Sequence, residues 1–308
     1  MNIKYDMLTI LGPTAGGKTS LATNMAYLLN GEIISADSRQ VYRGMDLGTG
    51  KDLDDYIVDG KQIPYHLIDI VSAGYKYNVY EYQKDFLEVY AELQQRKKFP
   101  VFCGGSGMYL EAVLKGYKLI PVPANKELRN ELEKKTTEVL ILILKSFKKL
   151  HNTSDTDSRK RMIRAIEIET CYSEIEKVDD DFPQIETLII GVKFDRNSRR
   201  NRITERLKQR LDEGMLDEVK RILESGVPPE NLIYYGLEYK YLTQHILGEL
   251  SYEEMFKKLE IAIHQFAKRQ MTWFRGMERK GFKIQWLDGY ASMKDKTDKI
   301  LDLLQAKN

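Results

Sequence analysis

Short apolar runs alternating with amphipathic stretches organise this chain. Met7-Leu8-Thr9-Ile10-Leu11 is almost continuously apolar and too short for a helix, so it predicts a buried strand. Ser20 to Leu29 follows with helical spacing. Glu32-Ile33-Ile34-Ser35 predicts a second strand, Asn78 to Arg96 a long helix, Pro100-Val101-Phe102-Cys103 a third strand, and Met108 to Leu114 the start of another helix. Strands alternating with helices indicate an α/β fold with a parallel sheet and crossover connections. From Pro121 the pattern changes: Lys126 to Leu150 and Ser158 to Thr170 read as helices, ending near Asp179-Asp180-Asp181-Phe182-Pro183. Thr187 to Val192 is strand-like again. One long helical stretch then runs from Ser198 to about Glu224 and a second from Ser251 to Arg275, and Phe282 to Leu287 reads as a late strand. Ser251 with Glu254 forms a capping-box signal. The expected organisation is a core over 1–118, a helical insertion over 119–185, and a return to the core over 186–308.

Composition narrows the class. With 308 residues and 42% hydrophobic content the chain buries a substantial core. The longest aliphatic run, Val139 to Leu144, is far short of the roughly 20 residues that cross a bilayer, and no signal-peptide pattern opens the chain. A cytoplasmic protein with no membrane partner is expected, and a monomer. Cys103 and Cys171 lie far apart and, with four scattered histidines, complete no metal or redox spacing. Both cysteines are expected to be packing residues. Net charge is only +2, but residues 1–118 carry 13 Lys/Arg against 14 Asp/Glu, so the basic excess lies downstream. It gathers in Arg159-Lys160-Arg161 with Arg164, in Arg196 to Arg210, and in Lys268-Arg269 through Arg275 to Lys280. Clustered cations suit a nucleic-acid backbone; a solvated helix face is the alternative for any one cluster.

The chemistry is concentrated where strands end. Gly12-Pro13-Thr14-Ala15-Gly16-Gly17-Lys18-Thr19 is a complete G-x-x-x-x-G-K-[ST] loop between the first strand and helix. Its glycines let several backbone N–H groups converge on one anion, Lys18 adds charge, and the Thr19 hydroxyl suits Mg2+, so the loop is expected to cradle a di- or triphosphate. The core is accordingly expected to be a P-loop NTPase-like parallel sheet. Ser35-Ala36-Asp37-Ser38-Arg39-Gln40-Val41-Tyr42 leaves the second strand, which puts Asp37 at the same mouth of the sheet. A carboxylate there either orients and deprotonates a nucleophile or caps a turn. Gly104-Gly105-Ser106-Gly107 follows the third strand and adds one hydroxyl. That strand lacks the terminal Asp of a Walker-B magnesium site, which argues against an ordinary nucleotide hydrolase.

Taken together, the ordered motifs resemble the tRNA dimethylallyltransferase family. The matching stretches are Gly12 to Thr19, Ser35 to Lys51, Gly104-Gly105-Ser106-Gly107-Met108-Tyr109-Leu110, Lys160-Arg161-Met162-Ile163-Arg164-Ala165-Ile166-Glu167, and Ala267-Lys268-Arg269-Gln270-Met271-Thr272-Trp273-Phe274-Arg275. The resemblance implies transfer of a dimethylallyl group from dimethylallyl pyrophosphate to the exocyclic amine of the adenosine 3′ of the anticodon. It makes Asp37 the base, gives Lys18, Thr19 and Mg2+ the departing pyrophosphate, and assigns Arg202 as the neutralising arginine with Arg206 as fallback. Ser106, where the family commonly has Thr, is expected near the scissile bond. The resemblance also places tRNA contacts at Asp37, Ser38, Arg39, Gln40, Ser106, Arg129, Lys160, Arg161, Met162, Ile163, Arg164, Lys268 and Arg269, with the insertion gripping the anticodon stem-loop.

Three departures accompany it. The chain is short between Arg129 and Lys160, Gly236-Leu237-Glu238-Tyr239 carries a carboxylate where a basic residue is usual, and no Cys/His zinc module follows Trp286, so the chain looks bacterial-type. Competing readings are a prenyltransferase acting on free adenine nucleotides, a small-molecule P-loop kinase, and a non-enzymatic RNA-binding module. The basic clusters argue against the first, because a mononucleotide needs no such footprint.

Overall fold

The computed structural model describes residues 3–147, 156–174 and 182–306. The chain divides into two compact units, Met1–Tyr117 with Gln184–Asn308 and Lys118–Pro183. In the first, the short apolar runs become strands because their side chains are covered on both faces: β1 (Met7–Leu11) and β2 (Gly31–Ala36) are buried at every position. The β3 (Ile57–Val58) and β4 (Lys61–Gln62) pair form a separate small antiparallel ladder. With β5 (Tyr65–His66), β6 (Phe99–Gly104), β7 (Thr187–Lys193) and β8 (Ile284–Asp288), the main sheet has the order β5-β2-β6-β1-β7-β8, and all its pairings are parallel. After β1 the chain first builds leftward, then returns at β7 to build rightward. The carboxyl end of β1 therefore lies at a topological switch point, where such sheets bind ligands.

Helices α1 (Lys18–Leu28), α2 (Val79–Gln95) and α3 (Gly107–Leu114) supply the early crossovers, and Asn78 and Glu81 close a capping box on α2. Later come α7 (Arg196–Asp212), α8 (Met215–Glu224), α9 (Pro229–Tyr234), α10 (Leu237–Ile246), α11 (Tyr252–Arg279) and α12 (Met293–Gln305), after the second unit's α4 (Lys126–Glu133), α5 (Thr137–Phe147) and α6 (Arg159–Ser173). One core cluster joins Leu8, Ile10 and Ile190 of the sheet to Leu21 and Met25 of α1 and Ile300 and Leu304 of α12. The expected capping box of Ser251 and Glu254 opens α11.

Two expected continuous helices are broken. Gly214 adopts φ 97°, a left-handed conformation that ends α7 and starts α8 within the stretch read as one helix from Ser198 to Glu224. The stretch from Lys126 is interrupted between Glu133 and Thr137; its expected end at Leu150, and the run Asp179 to Asp181, lie outside the described residues. The second unit has its own apolar centre, where Leu132, Leu140 and Leu144 meet Met162, Ile163 and Ile166. No helix among the described residues is long and apolar enough to cross a membrane.

Candidate active site

β1 delivers the chain into the Gly12–Thr19 loop. A Cβ at Gly12 would stand 2.8 Å from the Val192 carbonyl, so the loop packs this tightly only with glycine there. Ala15 (φ 58°) and Gly17 (φ 68°) curl the backbone, and α1 starts with Gly17 at its N-cap and no side-chain cap. The first-turn N–H groups are left to an anion, and the helix dipole favours one. They open onto a cavity of about 340 Å3 walled by Gly16, Lys18, Thr19, Asp52, Asp55, Arg202, Glu205 and Arg206. The Lys18 ammonium donates to the Pro13 carbonyl at 2.8 Å. Burial, first, and the nearby Arg206 charge push its pKa down, against the opposing pull of Cys103 and Asp37. Burial also pushes the Cys103 thiol up to about 12, so this cysteine is a neutral packing group beside the loop.

The neighbouring strand ends are tied to one another. Asp37 leaves β2 with Oδ1 accepting the Arg39 N–H at 2.9 Å, a local turn rather than a helix cap. Ser106 occupies the N-cap position of α3 without capping it; its Oγ accepts the Ser38 N–H at 2.9 Å and lies 3.2 Å from Ser38 Oγ. Gln40 spans Ser35 Oγ at 3.1 Å and the Gly50 carbonyl at 3.0 Å. A residue not anticipated as functional completes the frame. Buried Gln270 of α11 accepts the Thr14 N–H at 2.9 Å and donates to the Gly105 carbonyl at 3.0 Å, linking the phosphate loop to the Ser106 loop. Ala267, Gln270, Phe274 and Met277 share the buried face of α11, and a polar residue at an apolar periodicity was the one sequence hint, which names no partner.

The two candidate arginines differ in their partners. Arg202 donates from Nε to the Ala15 carbonyl at 3.0 Å, lies 4.5 Å from the centre of the Phe194 ring, and among the described residues has no carboxylate at ion-pair distance. Arg206 is paired with Asp52, which also accepts from Arg210 at 2.8 Å. Burial opposes the Asp52 charge, yet Arg206 and Arg210 beside it hold its carboxyl below the usual aspartate range. Arg202 therefore keeps its charge available to the cavity, while much of that of Arg206 is already balanced. Glu238, the unusual carboxylate, lines a small adjoining pocket with Thr14, Arg206 and Arg210, and burial raises its pKa.

Outside the strand-end loops, the expected tRNA-contact residues fall into three groups. Lys160 and Arg161 are exposed on α6, as are Lys268 and Arg269 on α11. Arg129 and Arg164 converge on buried Glu167: Arg129 grips it through Nε at 2.9 Å and Nη2 at 2.7 Å, and Arg164 through Nη1. Met162 and Ile163 do not present side chains to a ligand. They fall on the inward face of α6 and are buried at 2% and 4% exposure, which corrects the expectation for these two side chains.

The profile of the IPP transferase family matches residues 40–277. This chain belongs to that family. Among its relatives, a protein named tRNA dimethylallyltransferase 2 from Phocaeicola vulgatus is 63% identical across 99% of both chains, and one of the same name from Bacteroides fragilis is 60% identical across 98% of both. The tRNA isopentenylpyrophosphate transferase of Bacillus halodurans superposes with a TM-score of 0.71 at 29% identity, covering 98% of this chain and 96% of that one. A eukaryotic dimethylallyltransferase acting on tRNA shares the fold, with a TM-score of 0.75 at 21% identity over 92% of this chain and 73% of its own. The IPP transferase core thus holds its Gly12–Thr19 loop, Asp37 and Ser106 at the carboxyl ends of neighbouring strands β1, β2 and β6.

Proposed function

We propose that this chain is a tRNA dimethylallyltransferase, moving the dimethylallyl group of dimethylallyl pyrophosphate to the exocyclic amine of the adenosine 3′ of the anticodon. The observation that carries this reading is the union of a cavity lined by the glycine-rich loop, Lys18 and Arg202 with a carboxylate, Asp37, on a loop fastened to the Ser106 hydroxyl. A kinase can use both features, but the strand that carries Cys103 lacks the terminal Walker-B Asp, and the family match sets the chain among IPP transferases. The loop N–H groups, Lys18 and Arg202 bind the pyrophosphate and stabilise the charge that grows on it as the allylic C–O bond breaks. Asp37 orients the adenine amine and accepts its proton as nitrogen bonds to carbon. Ser106 holds the Ser38 backbone and so fixes the Asp37 loop, and in this reading its hydroxyl also hydrogen-bonds near the scissile C–O bond.

The donor set fits Mg2+: the Thr19 hydroxyl lines the cavity, and no group of three or more His, Cys, Asp or Glu among the described residues forms a self-sufficient metal cage. Mg2+ characteristically takes one or two protein oxygens and completes its shell from phosphate and water, where it would neutralise the leaving group. A target base must leave its stack to reach such a site, which RNA loops permit at low cost. Lys160 and Arg161, with the 119–185 region, are proposed to hold the anticodon stem-loop, whereas Arg129 and Arg164 reach a phosphate only in competition with Glu167. The tRNA substrate makes a cytoplasmic location the natural one. Incubation with labelled dimethylallyl pyrophosphate and either tRNA or AMP, with an ATP arm, tests the reading. Label is expected in tRNA alone; label in AMP, or phosphoryl transfer from ATP, would replace it.

A further inference from the structure

Arg202 is held from two sides and neutralised from neither. Its Nε donates to the Ala15 carbonyl at 3.0 Å, and its guanidinium carbon lies over the Phe194 ring, 4.5 Å from the centre. Nη1 and Nη2 have no partner among the described residues, so their N–H groups are left to the cavity that Arg202 lines. Arg206, one turn further along α7, shows the alternative: its Nη2 is tied to the Asp52 carboxylate. A carboxylate holds an arginine by occupying its in-plane donors and balancing its charge. An aromatic face holds it through the flat side of the guanidinium and leaves donors and charge free.

The ring is itself wedged. Phe194 follows β7, and a Cβ at Gly289 would stand 2.5 Å from the tip of the ring, so only glycine admits the ring at this depth. The Gly289 N–H donates to the Lys193 carbonyl at 2.8 Å, and the Gly289 carbonyl accepts from Lys296 of α12 at 2.7 Å, which fixes that backbone. Tyr290 meets Phe194 edge-to-face, with ring centres 5.1 Å apart and planes at 83°. Its hydroxyl donates to the Asp195 carboxylate and lies against Ser198 Oγ at the start of α7. The Tyr290 and Ser198 hydrogen bonds hold the Asp195 carboxyl below the usual aspartate range, so the tie is made to a charged acceptor.

We infer that Phe194 is a positioning residue for Arg202, an aromatic buttress that presents the unpaired Nη donors to the departing pyrophosphate, with Gly289 and Tyr290 as its backing. The inference rests on the proposed role of Arg202 and adds the residue that enforces it. Phe194 is not among the residues that wall the cavity, so it acts through the arginine. A long side chain fixed before its ligand arrives loses less freedom on binding, and its charge already stands where charge develops as the allylic C–O bond breaks.

A double-mutant cycle in the full chain tests this: Phe194→Leu, Arg202→Gln and the double variant, read by calorimetric binding of pyrophosphate with Mg2+ and by prenyl transfer to tRNA. Phe194→Leu keeps an apolar side chain and removes the aromatic face. It should weaken pyrophosphate binding by roughly 3- to 30-fold, lower turnover at least as much, and leave KM for tRNA unchanged. On the Arg202→Gln background the same substitution should change pyrophosphate affinity by no more than about twofold, because the group it positions is gone. A phenylalanine that only fills space would give equal losses on both backgrounds. Should Phe194→Leu not fold, the same cycle with Tyr290→Ala, at an exposed position, decides: a loss on the wild-type background alone supports the buttress. Unchanged pyrophosphate affinity, or losses that add in the double variant, overturns it. Unchanged affinity in Arg202→Gln overturns instead the role of Arg202 on which the inference rests. Pyrophosphate binding without transfer to tRNA in the wild type overturns the tRNA reading, and the binding cycle still decides Phe194.

Discussion

Asp37 and Gln270 carry separable tasks at the site, and substitution tells them apart. Asp37→Asn keeps the side-chain shape and an oxygen to accept the Arg39 N–H, so the turn survives while the base is lost. Turnover should fall by roughly 100-fold or more, the scale of a general base, with dimethylallyl pyrophosphate binding retained; loss of donor binding instead would make Asp37 part of the phosphate site. Gln270→Leu removes both ties between the phosphate loop and Gly105, leaving a buried N–H and C=O without partners at about 1–3 kcal/mol each. Its signature should be a lower thermal midpoint together with weaker pyrophosphate binding, because the loop's converging N–H groups lose their alignment. An unaltered pyrophosphate affinity would show that the loop holds its shape without α11. Asp37 and the phosphate loop were legible because each is a contiguous motif at a strand end. Gln270 and Asp52 were not, because their roles arise from partners 256 residues away in one case and 154 and 158 in the other.

Elements were legible in proportion to how far their own residues determine them. The runs at Met7, Glu32, Pro100 and Thr187 are strands in the structure because continuous apolarity is what a doubly covered parallel sheet demands. Two-residue β5 has no such run and exists only because β2 offers it an edge, and α10 and α12 were passed over for lack of strong periodic stretches. Gly214 carried a helix-stop signal that the surrounding periodicity outweighed. In the helical unit the decisive element-level feature is Glu167, which joins α6 to α4 through Arg129 and to the Asn125 N–H at 2.6 Å. Burial opposes its charge, but the Arg129 and Arg164 hydrogen bonds and that N–H hold its carboxyl below the usual value of 4.5. A carboxyl depressed on folding contributes stability that is complete above its unfolded value and is lost as pH falls through the folded one. Wild-type helical structure in this unit should therefore weaken below about pH 4, and Glu167→Gln should be less stable at neutral pH with a flatter acid limb. Since both arginines reach solvent, the neutral-pH cost is expected at about 1–3 kcal/mol. Circular dichroism and site-resolved amide signals across pH measure both; parallel pH profiles for the two proteins would remove Glu167 from this role.

At the scale of the molecule, the chain leaves the sheet after α3 and re-enters it at β7, which lies directly beside β1. The first unit is thus one cooperative block assembled from two distant chain segments, and the phosphate site draws on both: the Gly12–Thr19 loop from the first, Arg202 and Gln270 from the second. The helical unit stabilises itself through its own apolar centre. A ligand confined to the cavity stabilises only structure whose opening destroys the cavity, by RT ln(1 + [L]/Kd), or about 2.7 kcal/mol at one hundred times Kd. Amide exchange with pyrophosphate and Mg2+ should therefore slow across Gly12–Ser20, β1, β7, α7 and the Gln270 region of α11 together, although Thr14 and Gln270 are 256 residues apart. Protection across α4 to α6 should stay as it is without ligand. Equal slowing of the helical unit would show that the two units open as one, and slowing restricted to the phosphate loop would show that β7 and α7 are not part of the block that closes on the donor.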